Sequence, residues 1–356
     1  MSAKLIVDTS ALLHNLRVIK TLAEKSGVKL SVVTKGLAGH EALVKLLTEH
    51  GADSIGESRI QTLMKWDGLP AEKWLIRSPL ISETDETARF ADVSLVSERA
   101  VLEKLSAAAV RQGRAHKAIV MLELGELREG CMPEELLTLC KACLALPGLE
   151  LHGIGAHLSS LNEIVPDDRN METLVSAACE TEKTLGVALS LISGGSSSAV
   201  KMLAEGRLPA RINHLRIGEA ILLGNIVCYD EPYKDARTDA FTLSAEIIEV
   251  KEKPSLPWGE RAPGAALFAC DRGQKDCGMR KRALIAIGKQ DVPSQCLLPL
   301  DPALEILGDT SDCLAADVTD CNTTYKPGDI VSFRLRYNGL VSAMASNFIE
   351  KVLTSS

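Results

Sequence analysis

The feature that most constrains the fold is a regular alternation over the first two thirds of the chain. Short runs rich in β-branched residues are each followed by a longer stretch of helical periodicity. Eight such runs predict the strands Leu30–Lys35, Asp53–Gly56, Lys73–Arg77, Asp92–Val96, Ala118–Leu124, Glu150–Ala156, Val187–Ile192 and His214–Ile217. Eight strand–helix units predict a parallel TIM (β/α)8 barrel. An open doubly wound sheet is the alternative, but no GxGxxG motif follows the first strand.

Helix-start signals fit the same alternation. Asp8 precedes the predicted helix Ser10–Lys25, and Ser82 with Asp85 three residues later predicts another helix start.

After Asn225 the helical periodicity fades and strand-like runs take over. The predicted strands are Thr242–Val250, Ala283–Ile287, Leu304–Leu307, Leu314–Val318 and Ile330–Arg336. Turn signals such as Lys326–Asp329 (KPGD) separate them. The chain is therefore predicted to form a barrel domain over residues 1–228 and a β-rich domain over 229–356, with the first few residues able to pack with the latter.

Charge and cysteine patterns exclude several classes of protein. The net charge is −7 with both signs mixed along the chain, so no nucleic-acid partner is expected. Charged residues within the first twenty positions argue against a signal peptide, and no apolar run is long enough to cross a bilayer. The ten cysteines lack the spacing of a disulfide or metal framework, which favours buried or incidental thiols in a cytoplasmic protein.

Lys35 ends the first predicted strand. In a TIM barrel, the active site lies at the carboxyl ends of the strands. Burial there would disfavour the ammonium form and lower the pKa of the lysine. A neutral amine can form a Schiff base with an aldehyde. The alternative is a snorkelling or salt-bridged lysine, and the loops at the same end of the barrel favour the first interpretation.

Two loops are candidates for binding a phosphate. Ser193–Ser198 (SGGSSS) follows the seventh predicted strand, and Arg216–Ala220 (RIGEA) completes the eighth. Glycines let backbone N–H groups approach an anion, and serines add hydroxyl donors. The loops after strands seven and eight of a TIM barrel commonly hold a phosphate. A flexible glycine-serine loop is the alternative for Ser193–Ser198.

Three more side chains lie at predicted strand ends. His157 follows the sixth strand, where it could stack on a flat cofactor, bond to it, or be a structural residue. Arg128 follows the fifth strand and Arg77 ends the third. Both arginines could face anionic groups or form exposed ion pairs.

The order and spacing of these motifs resemble the alanine-racemase-like pyridoxal-phosphate enzymes, and within them the ornithine racemase group. The resemblance spans nearly the whole chain. It is carried by Val32–Lys35, Ala52–Gln61, Leu124–Gly130, His152–Leu158, Ile192–Ala199, Asn213–Gly224, Ala245–Pro254, Arg280–Val292 and Ile306–Asp320. It implies a racemase that interconverts L and D amino acids with pyridoxal 5'-phosphate, working as a homodimer with shared active sites.

The resemblance also implies roles for single residues. Lys35 is similar to the lysine that binds the cofactor and moves a proton on one face of the substrate Cα. Arg216 is similar to the arginine that bonds the pyridine nitrogen. The remaining implied cofactor contacts are Arg128, His157, Gly195, Ser196, Ser197, Gly218 and Glu219.

Three positions depart from the alanine racemase pattern. A phosphate-binding tyrosine is replaced by Gly39, and a modifiable lysine by Met121. The tyrosine that serves as second base is replaced by Trp258, which cannot act as a base. The second base is thus left open, and alanine is doubtful as the substrate.

The resemblance points to a basic substrate such as ornithine or lysine. Its side-chain ammonium would need a carboxylate partner, and Asp312 is the preferred candidate for it; a turn aspartate is the alternative. Asp312 is also a candidate second base, together with Cys313, Cys270, Glu260 and Tyr337.

Two other functions stay open. A non-catalytic pyridoxal-phosphate protein would not need the β-rich domain. A lyase or dehydratase of D-amino acids would use a metal, and no histidine follows His214 to supply a ligand there, so no metal is expected.

Overall fold

The computed structural model describes residues 3–226, 228–229, 231–260 and 276–355. The chain forms two compact units. One is Leu12–Thr238, and the other joins Met1–Ala11 to Asp239–Ser356.

The chain begins with strand β1 (Ala3–Asp8) and helix α1 (Thr9–Lys25). Asp8 caps this helix as predicted, because its Oδ1 accepts the backbone N–H groups of Ser10 at 2.9 Å and Ala11 at 3.0 Å. The predicted cap at Ser82 is wrong. A 3-10 turn covers Ile81–Glu83, and the following helix begins at Thr84 without a side-chain cap.

The unit Leu12–Thr238 contains a closed barrel of parallel strands. The strands are β2 (Lys29–Val33), β3 (Ser54–Glu57), β4 (Glu72–Leu75), β5 (Val93–Val96), β6 (His116–Met121), β7 (Leu149–Gly155), β8 (Leu191–Ser193) and β9 (His214–Ile217). Pairing of β9 with β2, with Ile217 opposite Val32, closes the ring. The predicted TIM barrel is confirmed.

Helices connect the barrel strands. They are α2 (Glu41–Glu49), α3 (Ile60–Lys65), α4 (Thr84–Phe90), α5 (Arg99–Arg111), α6 (Pro133–Ala145), α7 (Asp168–Leu185), α8 (Val200–Ala204) and α9 (Glu219–Leu222). Their apolar faces pack on the barrel, as in the cluster formed by Leu136, Leu139, Cys140 and Cys143 of α6 with Ile154 of β7.

A short antiparallel pair, β10 (Asn225–Ile226) and β11 (Glu231–Pro232), follows the barrel. Sequence reasoning places the end of the barrel domain at residue 228, whereas the compact unit extends to Thr238. The later residues are tied to α1: Asn15 donates to the Arg237 carbonyl at 2.8 Å and accepts its N–H at 2.7 Å.

The second unit is built on an antiparallel sheet. Its strands are β1, β12 (Phe241–Pro254), β13 (Met279–Ile285), β14 (Leu297–Pro299), β15 (Glu305–Asp309), β16 (Leu314–Asp317), β17 (Ile330–Leu335) and β18 (Ile349–Thr354), and helix α10 spans Tyr337–Ala345. The strands run in the order β14-β17-β12-β13-β16-β15. Strand β1 pairs antiparallel with β12 and parallel with β18. The predicted β-rich C-terminal fold is confirmed.

Among the described residues, no helix combines the length and the apolar character needed to span a membrane.

Candidate active site

Lys35 lies directly after the first barrel strand. Strand β2 ends at Val33, and Lys35 opens a 3-10 turn over Lys35–Leu37. The lysine therefore follows the strand instead of ending it. Because β9 neighbours β2 in the closed barrel, Lys35 lies beside the loop that begins at Gly218. A Cβ on Gly218 would come within 3.1 Å of Val33 Cβ, which shows how tightly this loop packs on β2.

The environment of Lys35 favours its neutral amine. Burial lowers the pKa of Lys35, and the Arg128 and Arg216 cations lower it further. Glu129 and Glu57 act in the opposite direction without reversing the shift. These interactions bring together side chains that lie in β3 and β9 or in the connections after β2 and β6.

Arg128 and Glu129 form an ion pair in the loop after β6. Arg128 Nη1 lies 2.9 Å from the Glu129 carboxylate. Burial raises the pKa of Glu129, although the cations of Arg128, Arg216 and Lys35 oppose that shift. The Arg128 backbone N–H donates to Glu123 Oε2 at 3.2 Å, which holds the loop against the residues just after β6.

Arg216 is buried inside the barrel. Its Nη1 donates to Ser193 Oγ, and its Nη2 donates to the Ala156 carbonyl at 2.8 Å. Burial lowers the pKa of Arg216 to about 10, so the guanidinium keeps its charge at neutral pH.

His157 follows β7 at the same end of the barrel. Burial lowers the pKa of His157 well below its usual range, and the Arg216, Arg128 and Lys35 cations add to the shift. The imidazole is therefore neutral at physiological pH and presents a flat uncharged ring near Arg216, Arg128 and Lys35.

The loops after β8 and β9 are joined by hydrogen bonds. Ser197 Oγ accepts the backbone N–H groups of Gly218 and Ala220, each at 3.2 Å. Ser196 Oγ lies 3.2 Å from Ser198 Oγ. Gly195 has a φ of +119°, a conformation that L side chains rarely adopt. Glu219 begins α9 next to these groups.

The structure thus brings together the predicted barrel residues. Lys35, Arg128, His157 and Arg216 interact electrostatically, and Gly195, Ser196, Ser197, Gly218 and Glu219 form the adjoining loops. Arg77 is in a partly exposed ion pair, with its Nη2 3.7 Å from Glu83 Oε2, in line with the second of its two interpretations.

The described candidates in the β-rich unit lie in different elements. Asp312 is exposed in the turn between β15 and β16, where it accepts hydrogen bonds from Thr310 Oγ1 at 3.2 Å and Ser311 Oγ at 3.1 Å. Cys313 is half-buried beside it, and Tyr337 begins α10. Glu260 is exposed, and Cys270 lies outside the described residues.

Two carboxylates near Lys35 were not identified from the sequence. Glu129 is adjacent to Arg128, and Glu57 is the last residue of β3. Glu57 is 3% exposed, and the part of the chain that the structure describes offers its Oε2 no hydrogen-bond partner. Burial raises the pKa of Glu57 despite hydrogen bonds from Ser58. The rule that strand ends face the site would have found Glu57 had the predicted strand not stopped at Gly56.

Comparison with known proteins identifies the family. The model of the alanine racemase N-terminal domain matches residues 7–225. The ornithine racemase of Acetoanaerobium sticklandii is 39% identical over 354 residues, covering 99% of this chain and 100% of that protein.

Two further proteins extend the comparison. The lysine racemase of Thermotoga maritima is 35% identical, with 99% of each chain covered. An alanine racemase of Bartonella henselae, solved with covalently bound pyridoxal phosphate, has a TM-score of 0.75 at 15% identity and covers 99% of this chain and 100% of its own. The resemblance inferred from the sequence motifs is confirmed, and the chain belongs to the alanine racemase family.

Proposed function

We propose that this protein racemises a basic amino acid, ornithine or lysine, with Lys35 binding the cofactor. Its membership of the family makes it a pyridoxal-phosphate-dependent amino-acid racemase. The basic substrate is supported by the two full-length relatives, which are named ornithine racemase and lysine racemase. We further propose that the enzyme is a cytoplasmic homodimer.

The residues at the barrel mouth fit an anionic cofactor that carries an aldehyde. Pyridoxal phosphate, when bound, supplies that aldehyde and a ring that makes the substrate Cα–H acidic. Lys35 offers an amine whose pKa is lowered by burial, and Arg128 and Arg216 offer cationic charge. The residues that would hold the cofactor are Lys35, Arg128, His157, Gly195, Ser196, Ser197, Arg216, Gly218 and Glu219.

Lys35, Arg216 and Glu129 have distinct tasks. Lys35 Nζ takes or returns a proton on one face of the substrate Cα, and its neutral form suits it to accept that proton. Arg216 keeps its own proton and donates hydrogen bonds, so it restrains protonation of any nitrogen placed against it. Glu129 balances the charge of Arg128.

The opposite face of Cα requires a second group. We propose that a partner subunit's β-rich domain supplies it, with Asp312 preferred over Cys313, Cys270, Glu260 and Tyr337. Asp312 is exposed, so its carboxylate is available either to move a proton or to pair with a substrate ammonium.

The observation that carries the proposal is the electrostatic interaction of the buried Lys35 amine with Arg128 and Arg216, just after a strand that pairs with β9. Its test is polarimetry of purified protein with pyridoxal phosphate and a panel of L-amino acids. Optical rotation should fall to zero with L-ornithine or L-lysine and stay constant with L-alanine. Constant rotation with every amino acid, despite cofactor binding, would indicate a non-catalytic protein. Release of an aldehyde or ammonia would indicate a lyase or dehydratase.

Replacing Asp312 with asparagine or alanine should raise the KM for ornithine by roughly 10- to 100-fold, because a charge-assisted hydrogen bond contributes about 1.5–3 kcal/mol. Steady-state kinetics measure the effect. Ser311→Ala is the matched control, since it removes a hydrogen bond of the same turn without changing charge. An unchanged KM in both Asp312 variants would remove Asp312 from the substrate site.

A further inference from the structure

A continuous row of buried hydrogen bonds runs through the barrel interior behind Arg216. Arg216 Nη1 bonds to Ser193 Oγ, which lies 2.8 Å from His214 Nδ1. His214 Nε2 lies 2.9 Å from Ser31 Oγ, and Ser31 Oγ lies 2.8 Å from Ser54 Oγ. Ser54 Oγ donates to the Leu30 carbonyl at 3.0 Å. The row connects the strands β9, β8, β2 and β3.

The far end of the row fixes its direction. A carbonyl only accepts hydrogen bonds, so the Ser54 hydroxyl donates its single hydrogen to the Leu30 carbonyl. Ser54 must then accept from Ser31, and Ser31 must accept from His214. His214 therefore carries a hydrogen on Nε2.

The end of the row next to Arg216 fixes the remaining hydrogen positions. Burial lowers the pKa of His214 well below its usual range, and the neighbouring charges of Arg216, His152 and Lys29 add to the shift. The imidazole is therefore neutral, and its Nδ1 is an acceptor. Ser193 donates to that nitrogen, which leaves the lone pairs of Ser193 Oγ for Arg216. Every group in the row then has a partner of the right kind.

The His214 ring is also held from the side. The Trp74 ring stacks on it with centroids 4.4 Å apart and planes 11° from parallel. Trp74 Nε1 in turn donates to Glu72 Oε2 at 2.7 Å. The stack fixes the plane of the imidazole. A 180° flip within that plane would place carbon atoms opposite Ser193 and Ser31, so the two hydrogen bonds fix the orientation of the ring.

We propose that His214 is a positioning residue for Arg216: as a neutral imidazole protonated on Nε2, it keeps Ser193 Oγ turned to accept from the guanidinium. If the ring tautomer were reversed, Nδ1–H would donate to Ser193, whose own hydrogen would then point elsewhere, toward the donor groups of Arg216. The importance of this positioning for racemisation rests on the proposed function, in which Arg216 contacts the cofactor.

The tautomer can be tested without any activity measurement. In ¹⁵N-histidine-labelled holoenzyme, NMR should show His214 with a hydrogen on Nε2 and none on Nδ1, unchanged between about pH 8 and pH 5. The His214→Phe variant assigns the signal among the seven histidines. A protonated Nδ1 at neutral pH would overturn the proposed direction of the row.

Ser193→Ala and His214→Phe test the effect on the site. The phenylalanine preserves the ring stacked on Trp74 but cannot form hydrogen bonds. Both variants should lower kcat by roughly 10- to 100-fold with little change in KM, a loss typical of removing an outer partner of a site residue. Both should also shift the absorbance maximum of the bound cofactor. Ser31→Ala, three hydrogen bonds from Arg216, should have a smaller effect.

His116 supplies a matched control. It is also a buried barrel histidine bonded to a serine, with Nε2 2.9 Å from Ser94 Oγ, but the contacts among described residues do not link it to Arg216. His116→Phe should leave kcat and the cofactor spectrum unchanged.

The outcomes separate this inference from the proposed function. If the wild-type enzyme racemises its substrate and Ser193→Ala and His214→Phe have the same kcat and cofactor spectrum, the positioning role is refuted and the proposed function is not. A wild-type protein without racemase activity would refute the proposed function, and the NMR and cofactor spectra would still decide the role of His214. If His214→Phe does not fold, Ser193→Ala decides the test.

Discussion

Replacing Lys35 with alanine should lower racemisation by about 10³-fold or more, because the variant lacks the amine that moves the proton and binds the cofactor. The absorbance of the lysine-bound cofactor should disappear at the same time. Arg128 and Arg216 remain in the variant, so free pyridoxal phosphate should still bind, but reversibly. Polarimetry with the preferred substrate and a spectrum after gel filtration measure both effects.

Lys29→Ala is the matched control. Lys29 is an exposed lysine at the other end of the same strand, so its loss removes the same side chain far from the carboxyl end of the barrel. Its activity and spectrum should equal those of the wild type. A Lys35→Ala variant that retained racemisation and a covalent cofactor would contradict the assignment of Lys35.

The barrel and the region of its site could be predicted because both depend on local sequence patterns. The apolar runs define the strands, and residues just after them lie at one end of a parallel barrel. That rule identifies Lys35, and Arg216 is identified by its place near the end of the last barrel strand. The seventh strand was misplaced, as β8 covers Leu191–Ser193 and not Val187–Ile192. Gly186 ends α7 in a left-handed conformation, and the residues after it form a connection.

The supporting contacts were beyond prediction because they depend on strand register. Ser31, Ser54 and His214 are scattered in sequence and meet only in the closed barrel. There Ser31 is level with Ser54 of β3 and with Arg216 of β9, two residues after His214. The pairing of β1 with β12 and β18 joins both ends of the chain, and no local pattern reports such distant partners. Met121, which stands where the family has a modifiable lysine, is fully buried and packs in the barrel core.

Replacing Glu126 should have a large effect on the stability of the fold. This buried carboxylate lies in the loop after β6 and holds the loop after β7. It accepts backbone N–H groups from Ser159 at 3.0 Å, Ser160 at 2.7 Å, Asn162 at 3.0 Å, Ile164 at 3.1 Å and Leu161. Because the segment it holds starts two residues after His157 in the same loop, the carboxylate also orders the chain next to the candidate site.

Glu126→Gln should lower the free energy of unfolding by about 2–4 kcal/mol at pH 7, since an amide NH₂ would face backbone donors that need an acceptor. Urea denaturation measures the loss. Glu134→Gln, in an exposed carboxylate at the start of α6, should change stability by less than about 0.5 kcal/mol. A Glu126→Gln variant as stable as this control would show that the loop does not depend on the carboxylate.

The stabilisation that Glu126 provides should depend on pH in a defined direction. Burial alone would raise the pKa of Glu126, but the N–H groups of Asn162, Ser160 and Ile164 outweigh it and hold the pKa at about 2. The folded-state pKa is thus below the unfolded value of about 4.5, so the carboxylate stabilises the fold above pH 4.5. That contribution, about 3 kcal/mol, is lost as pH falls from about 4.5 towards 2. Wild-type stability should therefore fall faster than that of Glu126→Gln over this range, and parallel curves would contradict the assigned role.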